Sequence, residues 1–390
     1  MTEQQTTPEL RFPEFKDEWN KSKLAKVVNV YDGTHQTPRY TKEGIRFLSV
    51  ENIRSLKSNK YISVEDFEKE FKIYPEYGDV LMTRIGDIGT PKVVNLRESL
   101  AYYVSLALLK PININSYFLE SLILSPTVQN ELWRKTLHIA FPKKINKNEI
   151  AKVMINYPKN EEQEKIGDFF SKLDRQIELE EEKLELLEQQ KKGYMQKIFS
   201  QELRFKDEKG GTYPNWKNEA LGSIVKITMG QSPSSKNYTE NSSYTILVQG
   251  NADLNNGCIK PRIYTKQVTK LAEVNDILLT VRAPVGKIGR AQLKACIGRG
   301  VCAIKGDIFI YYFLELFDLQ NKWIKFSQGS TFESVSGNEI KSIDIAYPTN
   351  EERQKISKFL SKLDELLKNQ LLKIELLKQR KQGLLQKMFV

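Results

Sequence analysis

The sequence predicts an α+β fold: two α/β domains in tandem, separated by two long antiparallel coiled-coil helices with pseudo-two-fold symmetry. Three observations lead there. The charged segments Asn160 to Ser200 and Asn350 to Val390 align without a gap, and from Asn148 and Asn338 onward roughly half the positions are identical, so the repeat sets how the rest is parsed. Both segments carry apolar residues in alternating steps of four and three. The chain also connects them through a second copy of whatever precedes the first. The expected boundaries are domain one over 1–158, a central helix over 159–200, domain two over 201–348 and a C-terminal helix over 349–390.

At 390 residues the chain is long enough for two domains with ordinary cores. A net charge of +11 favours a polyanionic partner, with ribosomal, membrane-surface and nucleic-acid partners all open at this point. No basic, apolar, small-residue leader opens the sequence. The longest apolar run, around Tyr102 to Leu109, is too short to span a bilayer, so a cytoplasmic protein with no membrane partner is expected. Cys258, Cys296 and Cys302 read as reduced thiols, small and buried. With only His35 and His138 beside them, no tetrahedral metal site is expected.

In the first domain Leu10-Arg11-Phe12-Pro13, Trp19, Leu24 and Val27-Val28 are answered by Leu203-Arg204-Phe205, Trp216, Leu221 and Ile224-Val225, so the repeated unit is half the protein. A loop, Asp32 to Tyr40, leads into the strand Ile45 to Val50 and then Glu51-Asn52-Ile53; its counterpart is Gly230 to Ser235, Tyr238, the strand Tyr244 to Val248 and Gln249 to Ala252. Next, Gly78 to Gly89 and Asn275 to Gly286 each form an apolar strand running into a glycine-bearing turn with Arg84 or Arg282 near its tip. A backbone anion contact and a plain structural hairpin both account for those letters. Tyr117-Phe118-Leu119-Glu120 with Trp133, and Tyr312-Phe313-Leu314-Glu315 with Trp323, read as core aromatics at helical spacing rather than a stacking platform. Lys143, Lys144 and Lys147 then lead to the first long segment, and the less basic Ser327 to Thr331 to the second.

The seam of the first helix is Ile166, Phe170, Leu173, Ile177, Leu184 and Leu187, continuing to Tyr194 and Ile198; that of the second is Ile356, Leu360, Leu363, Leu367, Ile374 and Leu377, continuing to Leu384 and Met388. Asn160 and Asn350 are suitable N-caps after a proline, and the following glutamates suit the positive helix end. Polar seam positions Glu180, Lys191, Gln370 and Lys381 cost stability but fix register. Each helix of about 40 residues spans roughly 60 Å. The two domains follow opposite ends of the first helix, so the second helix can bury its seam only by running back, which makes the pair antiparallel and the halves isologous.

Two basic domains on a rigid spacer suit two half-sites on duplex DNA, which recur on one face about every 34–36 Å. Unlike loops on a repeated scaffold imply a bipartite, non-palindromic target. Candidate DNA contacts are Thr37, Arg39, Tyr40, Asn52, Arg84, Lys92, Lys143 and Lys144 in the first half, and Ser232, Ser234, Tyr238, Gln249, Asn251, Arg282, Lys287, Arg290, Arg299 and Ser330 in the second.

Both halves resemble the DNA specificity (S) subunit of type I restriction-modification systems. The similarity lies in Trp19 to Leu24, Thr37-Pro38 to Tyr40, Phe47-Leu48-Ser49 to Asn52-Ile53, Gly78-Asp79-Val80-Leu81 and Asn160-Glu161-Glu162-Gln163. In the second half it lies in Ser232-Pro233, Asn251, Asp276-Ile277-Leu278 and Ile297-Gly298-Arg299-Gly300. The resemblance implies two target recognition domains, docking with two adenine methyltransferase subunits, and restriction and translocation by further ATP-driven subunits. It implies no cofactor on this chain, with S-adenosylmethionine, ATP and Mg on the partners. One departure is Tyr102-Tyr103-Val104-Ser105 where the second half has Ile297 to Gly300, which leaves Arg299 without an assumed counterpart. The chain has no Gly-x-x-x-x-Gly-Lys-Ser/Thr loop, no Gly-x-Gly-x-x-Gly turn and no Asn-Pro-Pro-aromatic signature, in keeping with a non-catalytic subunit. The alternative reading is a coiled-coil scaffold with two protein-binding domains.

Overall fold

The computed structural model describes residues 7–255, 257–327 and 334–390. The chain divides into two compact units, Met1–Glu182 with Leu371–Val390, and Lys183–Gln370.

Unit 1 runs β1 (Asn20–Lys23), β2 (Val28–Asp32), β3 (Ile45–Leu48), β4 (Tyr61–Ile62), α1 (Val64–Glu70), β5 (Val80–Ile85), β6 (Asp87–Val93), β7 (Leu100–Tyr102), β8 (Leu106–Pro111), α2 (Ser116–Leu124), α3 (Pro126–Arg134), α4 (Lys147–Ala151), β9 (Met154–Tyr157) and the first half of α5 (Asn160–Phe199). Its strands form sheets in the orders β2-β8-β5-β6, β4-β3-β7 and β1-β9. β3 and β7 pair in parallel, Phe47 against Ala101, and the other pairings are antiparallel. The central strand β5 is apolar on both faces because both are covered, and its residues through Arg84 are buried. One core lies around Phe47, Tyr102 and Leu108 between the sheets. The other packs Trp19 and Phe118 of the domain against Ile166 and Phe170 of α5. Phe389 near the chain end fills the same pocket, its ring 6.1 Å from Trp19 and 5.6 Å from Phe118.

Unit 2 repeats the plan: β10 (Lys217–Ala220), α6 (Leu221–Ile224), β11 (Lys226–Met229), β12 (Tyr238–Thr239), β13 (Thr245–Val248), β14 (Leu254–Asn255), β15 (Cys258–Ile259), β16 (Tyr264–Thr265), β17 (Leu271–Ala272), β18 (Ile277–Thr280), β19 (Ile288–Arg290), β20 (Ala295–Ile297), β21 (Val301–Lys305), α7 (Ile308–Leu319), α8 (Ile324–Ser327), α9 (Gly337–Lys341), β22 (Asp344–Tyr347) and the first half of α10 (Asn350–Lys387). The order β11-β21-β18-β19 answers β2-β8-β5-β6, and the parallel pair β13-β20 answers β3-β7. Phe199 plays the part of Phe389, 5.0 Å from Phe309 and 6.5 Å from Trp216. Cys296 and Cys302 are buried, and burial pushes the Cys302 thiol up to about 12. Cys258 departs from the expectation of buried thiols: it lies exposed on a two-residue strand.

Within each unit the two helix segments run antiparallel. In unit 1 Lys381 meets Asp174 at 2.5 Å and Lys373 meets Glu180 at 2.5 Å, so numbers rise on one helix as they fall on the other. In unit 2 Lys191 meets Asp364 at 2.6 Å and the Tyr194 ring lies 5.1 Å from Phe359. Lys191 is the repeat counterpart of Lys381 and Asp364 that of Asp174, so one ion pair is made twice. Ile166, Phe170, Leu173, Ile177, Ile356, Leu360 and Ile374 are buried, and Leu184, Leu187, Leu363, Leu367 and Leu377 half-buried.

Lys191 is buried, and its ammonium also meets the Glu315 carboxylate at 2.8 Å. Burial holds the Glu315 carboxyl above the usual range while Lys191 opposes the rise. Removing Lys191 therefore strands the Glu315 carboxylate and leaves Asp364 with only the Tyr312 hydroxyl, at 2.6 Å. Lys191→Met is expected to lower stability by about 3 kcal/mol, read as a drop in urea midpoint. Lys378→Ala, which breaks an exposed pair with Glu181, is expected to change it by less than about 0.5 kcal/mol.

Candidate nucleic-acid interface

In each unit the loops after β2 or β11, after the parallel-paired strands and after the central strand gather at one end, held by a set of backbone hydrogen bonds that the repeat preserves. In unit 1 Thr34 N donates to Tyr102 O (3.1 Å), Tyr103 N to Leu48 O (2.8 Å), Arg84 N to Ser105 O (2.9 Å) and Ile145 N to Arg84 O (3.0 Å). In unit 2 Gln231 N donates to Ile297 O (2.9 Å), Gly298 N to Val248 O (2.8 Å), Val281 N to Gly300 O (2.9 Å) and Val335 N to Val281 O (3.0 Å). These bonds put Tyr103 opposite Gly298 in the repeat and Val104 opposite Arg299.

The loops approach so closely that side chains are excluded at their crossing. A Cβ on Gly33 would lie 2.5 Å from Tyr102 O, and one on Gly230 2.1 Å from Gly298 O. These glycines, which the sequence marks only as turn-formers, set the geometry of the cluster.

In unit 2 the cluster brings several candidates together. Ser232 Oγ accepts from Arg299 N (3.1 Å) and leaves the exposed Arg299 side chain on the rim. Gln249 Nε2 donates to Tyr238 Oη (2.8 Å), so both polar groups sit half-buried at the floor. Asp253, a residue the sequence reading missed, is buried beneath them and accepts from Gln249 N (2.7 Å) and Arg262 Nε (2.9 Å). Ser234, Asn251 and Arg282 are exposed on the same loops. Lys287 is exposed too and pairs with Asp318 at 3.0 Å. Arg290 stands apart, since β18 and β19 are antiparallel and Arg290 pairs with Ile277 at the far end of β18. Ser330 lies outside the described residues.

In unit 1 Thr37, Arg39 and Tyr40 are exposed on the first loop, where the Tyr40 ring rests on Phe47 (5.7 Å) with the Lys60 ammonium 5.6 Å from its centre. Lys143 and Lys144 are exposed beside the β5–β6 turn, with Gly86 N donating to Lys143 O at 2.8 Å. Asn52 faces inward, accepting from Ser49 N (3.0 Å) and donating to Lys57 O (2.8 Å), and so shapes its turn.

Three sequence expectations are corrected here. Arg84 is not at a turn tip: it is buried on β5, its guanidinium donating to Ile145 O (3.0 Å) and paired with Asp32. Its repeat equivalent is the buried Val281, while Arg282 is the next residue, past the end of β18, and is exposed. Lys92 is likewise turned away, toward α5, where it meets Glu178 at 3.2 Å. Burial works to lower the Lys92 ammonium, but Glu120 and Glu178 together outweigh it and hold the group above its usual value. A third correction concerns Trp133. Unlike the buried Trp323 it is half exposed, with the Lys143 ammonium 4.5 Å from its ring centre and His138 4.4 Å away.

Among the described residues no group of three His, Cys, Asp or Glu could hold a metal, and no helix is long and apolar enough to cross a membrane.

Comparison with known proteins gives a consistent picture. The family model described as type I restriction modification DNA specificity domain matches twice, at residues 16–189 and 213–376. A relative described as a type I restriction enzyme MjaX specificity subunit, from Methanocaldococcus jannaschii, is 29% identical over 378 residues, covering 91% of this chain and 88% of its own. The MjaIX specificity subunit of the same organism is 27% identical over 194 residues, 44% of this chain and 43% of its own. Among solved structures, the S subunit of a type I system from M. genitalium superposes with a TM-score of 0.62 at 16% identity, covering 98% of this chain and 99% of its own. A chain from a structure of type I R-M complex assembly and conformational transition gives 0.59 at 20% identity, over 94% and 96%.

The Arg84 and Arg282 environments predict opposite consequences. Arg84→Ala leaves Asp32 with only the longer contact to Lys147 (3.7 Å) and Ile145 O without its guanidinium donor, and is expected to cost about 3 kcal/mol in urea unfolding. Arg282→Ala, at an exposed position, is expected to stay within about 0.5 kcal/mol of the parent.

Proposed function

This chain belongs to the type I restriction-modification DNA specificity family, and on that premise we propose that it reads a bipartite, non-palindromic DNA target, one part with each unit. The observation that carries this reading is the contrast within the repeat. The backbone bonds of the loop cluster recur, while the side chains they present differ, Val104 against Arg299 and Tyr103 against Gly298. A common scaffold carrying unlike side chains suits unlike half-sites. In this reading Arg299, Gln249, Ser232, Asn251 and Arg282 reach base edges in unit 2, and Thr37, Arg39 and Tyr40 do so in unit 1. Lys143, Lys144 and Lys287 bind phosphates.

The long helices act as the spacer between the two half-sites. Their outer faces carry exposed leucines, among them Leu179, Leu186, Leu366 and Leu372, which suit the docking of two methyltransferase subunits. Methyl transfer with S-adenosylmethionine, and ATP- and Mg-dependent restriction, belong to those partners and to the restriction subunits, in the cytoplasm. The chain itself supplies recognition and no chemistry.

A gel-shift series with the chain and its methyltransferase partner tests this. Sequence-selective retention is expected, with affinity falling linearly in log salt, and Arg299→Ala should lose about 1–3 kcal/mol of discrimination at its half-site. No retention at low salt, or retention without any sequence preference, contradicts DNA reading.

A further inference from the structure

The loop between α3 and α4 ends in two large apolar side chains that nothing in unit 1 covers: Ile139 is 99% and Phe141 103% exposed. Its base is rigidly placed. Leu137 N donates to Lys144 O (2.8 Å), Gly86 N to Lys143 O (2.8 Å), and Ile145 beyond them is fully buried. The tip therefore projects from the β5–β6 turn, within the loop cluster described above. The loop itself carries one sign of charge: residues 134–147 contain Arg134, Lys135, Lys143, Lys144 and Lys147 and no carboxylate; Glu131 pairs with Arg134 and Asp32 with Lys147, which leaves Lys135, Lys143 and Lys144 as the collar. A phenyl and a branched aliphatic side chain held in water on an anchored loop gain free energy by entering an apolar site, and the basic collar selects one set in a polyanion. Stacked bases between phosphate backbones match both requirements. Apolar wedges of this kind open a base step and kink the duplex by about 20–90°.

We propose that Ile139 and Phe141 form a wedge that inserts between adjacent base pairs in or beside the half-site read by unit 1, unstacking one step and bending the DNA there. The inference rests on the DNA-reading function above, and its test separates the two. The holo complex of this chain with methyltransferase subunits is titrated with duplexes bearing the target found by methylation mapping, 2-aminopurine replacing one base at a time across the first half-site. A fluorescence rise at one step is expected with the parent chain and is lost in Phe141→Ser and weakened in Ile139→Asn. Binding by Phe141→Ser should be roughly tenfold weaker, with the slope of log affinity against log salt unchanged because the phosphate contacts remain. Both side chains are exposed, so melting temperatures should match the parent.

If the target is bound selectively but no brightening depends on Phe141, the wedge is overturned and DNA reading stands; a rise independent of Phe141 belongs to the methyltransferase. If Phe141→Ser binds DNA like the parent but no longer co-purifies with methyltransferase subunits, the tip is a protein-docking element and the wedge is likewise overturned. Absence of selective binding by the parent chain removes the DNA-reading function itself, and the wedge with it.

Discussion

Each long helix begins with a buried carboxylate that must be neutralised, and the arginine that does so comes from the segment just ahead of β1 or β10 in the same unit. Arg11 grips Glu162 through two bonds of 2.7 Å, and Arg204 grips Glu352 through bonds of 3.1 and 2.7 Å. Glu352 is fully buried and also accepts from the Trp216 indole at 2.9 Å. A planar guanidinium on a carboxylate in this geometry tolerates little rotation, and the carboxylates sit in the first helical turn, where the helix dipole favours them. The pair therefore fixes where and at what angle each helix leaves its domain. Once that is set, the register within each unit follows, Asp174 reaching Lys381 and Asp364 reaching Lys191.

The same constraint explains why Phe389 and Phe199 lodge in equivalent pockets although one lies near the end of the chain and the other midway along it. Leu10 N bonds to Lys387 O at 2.9 Å, and Leu203 N to Lys197 O at 2.9 Å. The junction made within the chain in unit 2 is thus made across its ends in unit 1. The repeat is a repeat of packing, not only of letters.

Much of the architecture was legible in the sequence because it is periodic. The four-and-three spacing, the duplicated punctuation around Tyr157-Pro158 and Tyr347-Pro348, and the glycine-bearing turns are signals that read the same in either copy. The contact surface was less legible, because which face a loop or strand residue presents depends on tertiary pairing. Arg84 and Arg282 look equivalent in one dimension, yet they are offset by one residue in the repeat: Arg84 is buried on β5, while Arg282 lies beyond the end of β18 and faces solvent. Lys92 reads as a surface lysine until α5 brings Glu178 against it. Trp133 has the spacing of a core aromatic, but it lies at the foot of a projecting basic loop. Gly33 and Gly230, which permit the loops to cross, carry no chemistry of their own and gave no functional signal.

The proposed reading makes the chain a pair of unlike readers whose shared framework fixes their presentation. Mapping of adenine methylation across the genome of a host carrying this chain and its methyltransferase subunits tests that most directly. The account predicts one motif in two unlike parts separated by a fixed run of unspecified bases. A single uninterrupted motif, a palindromic one, or two parts at variable separation would contradict it.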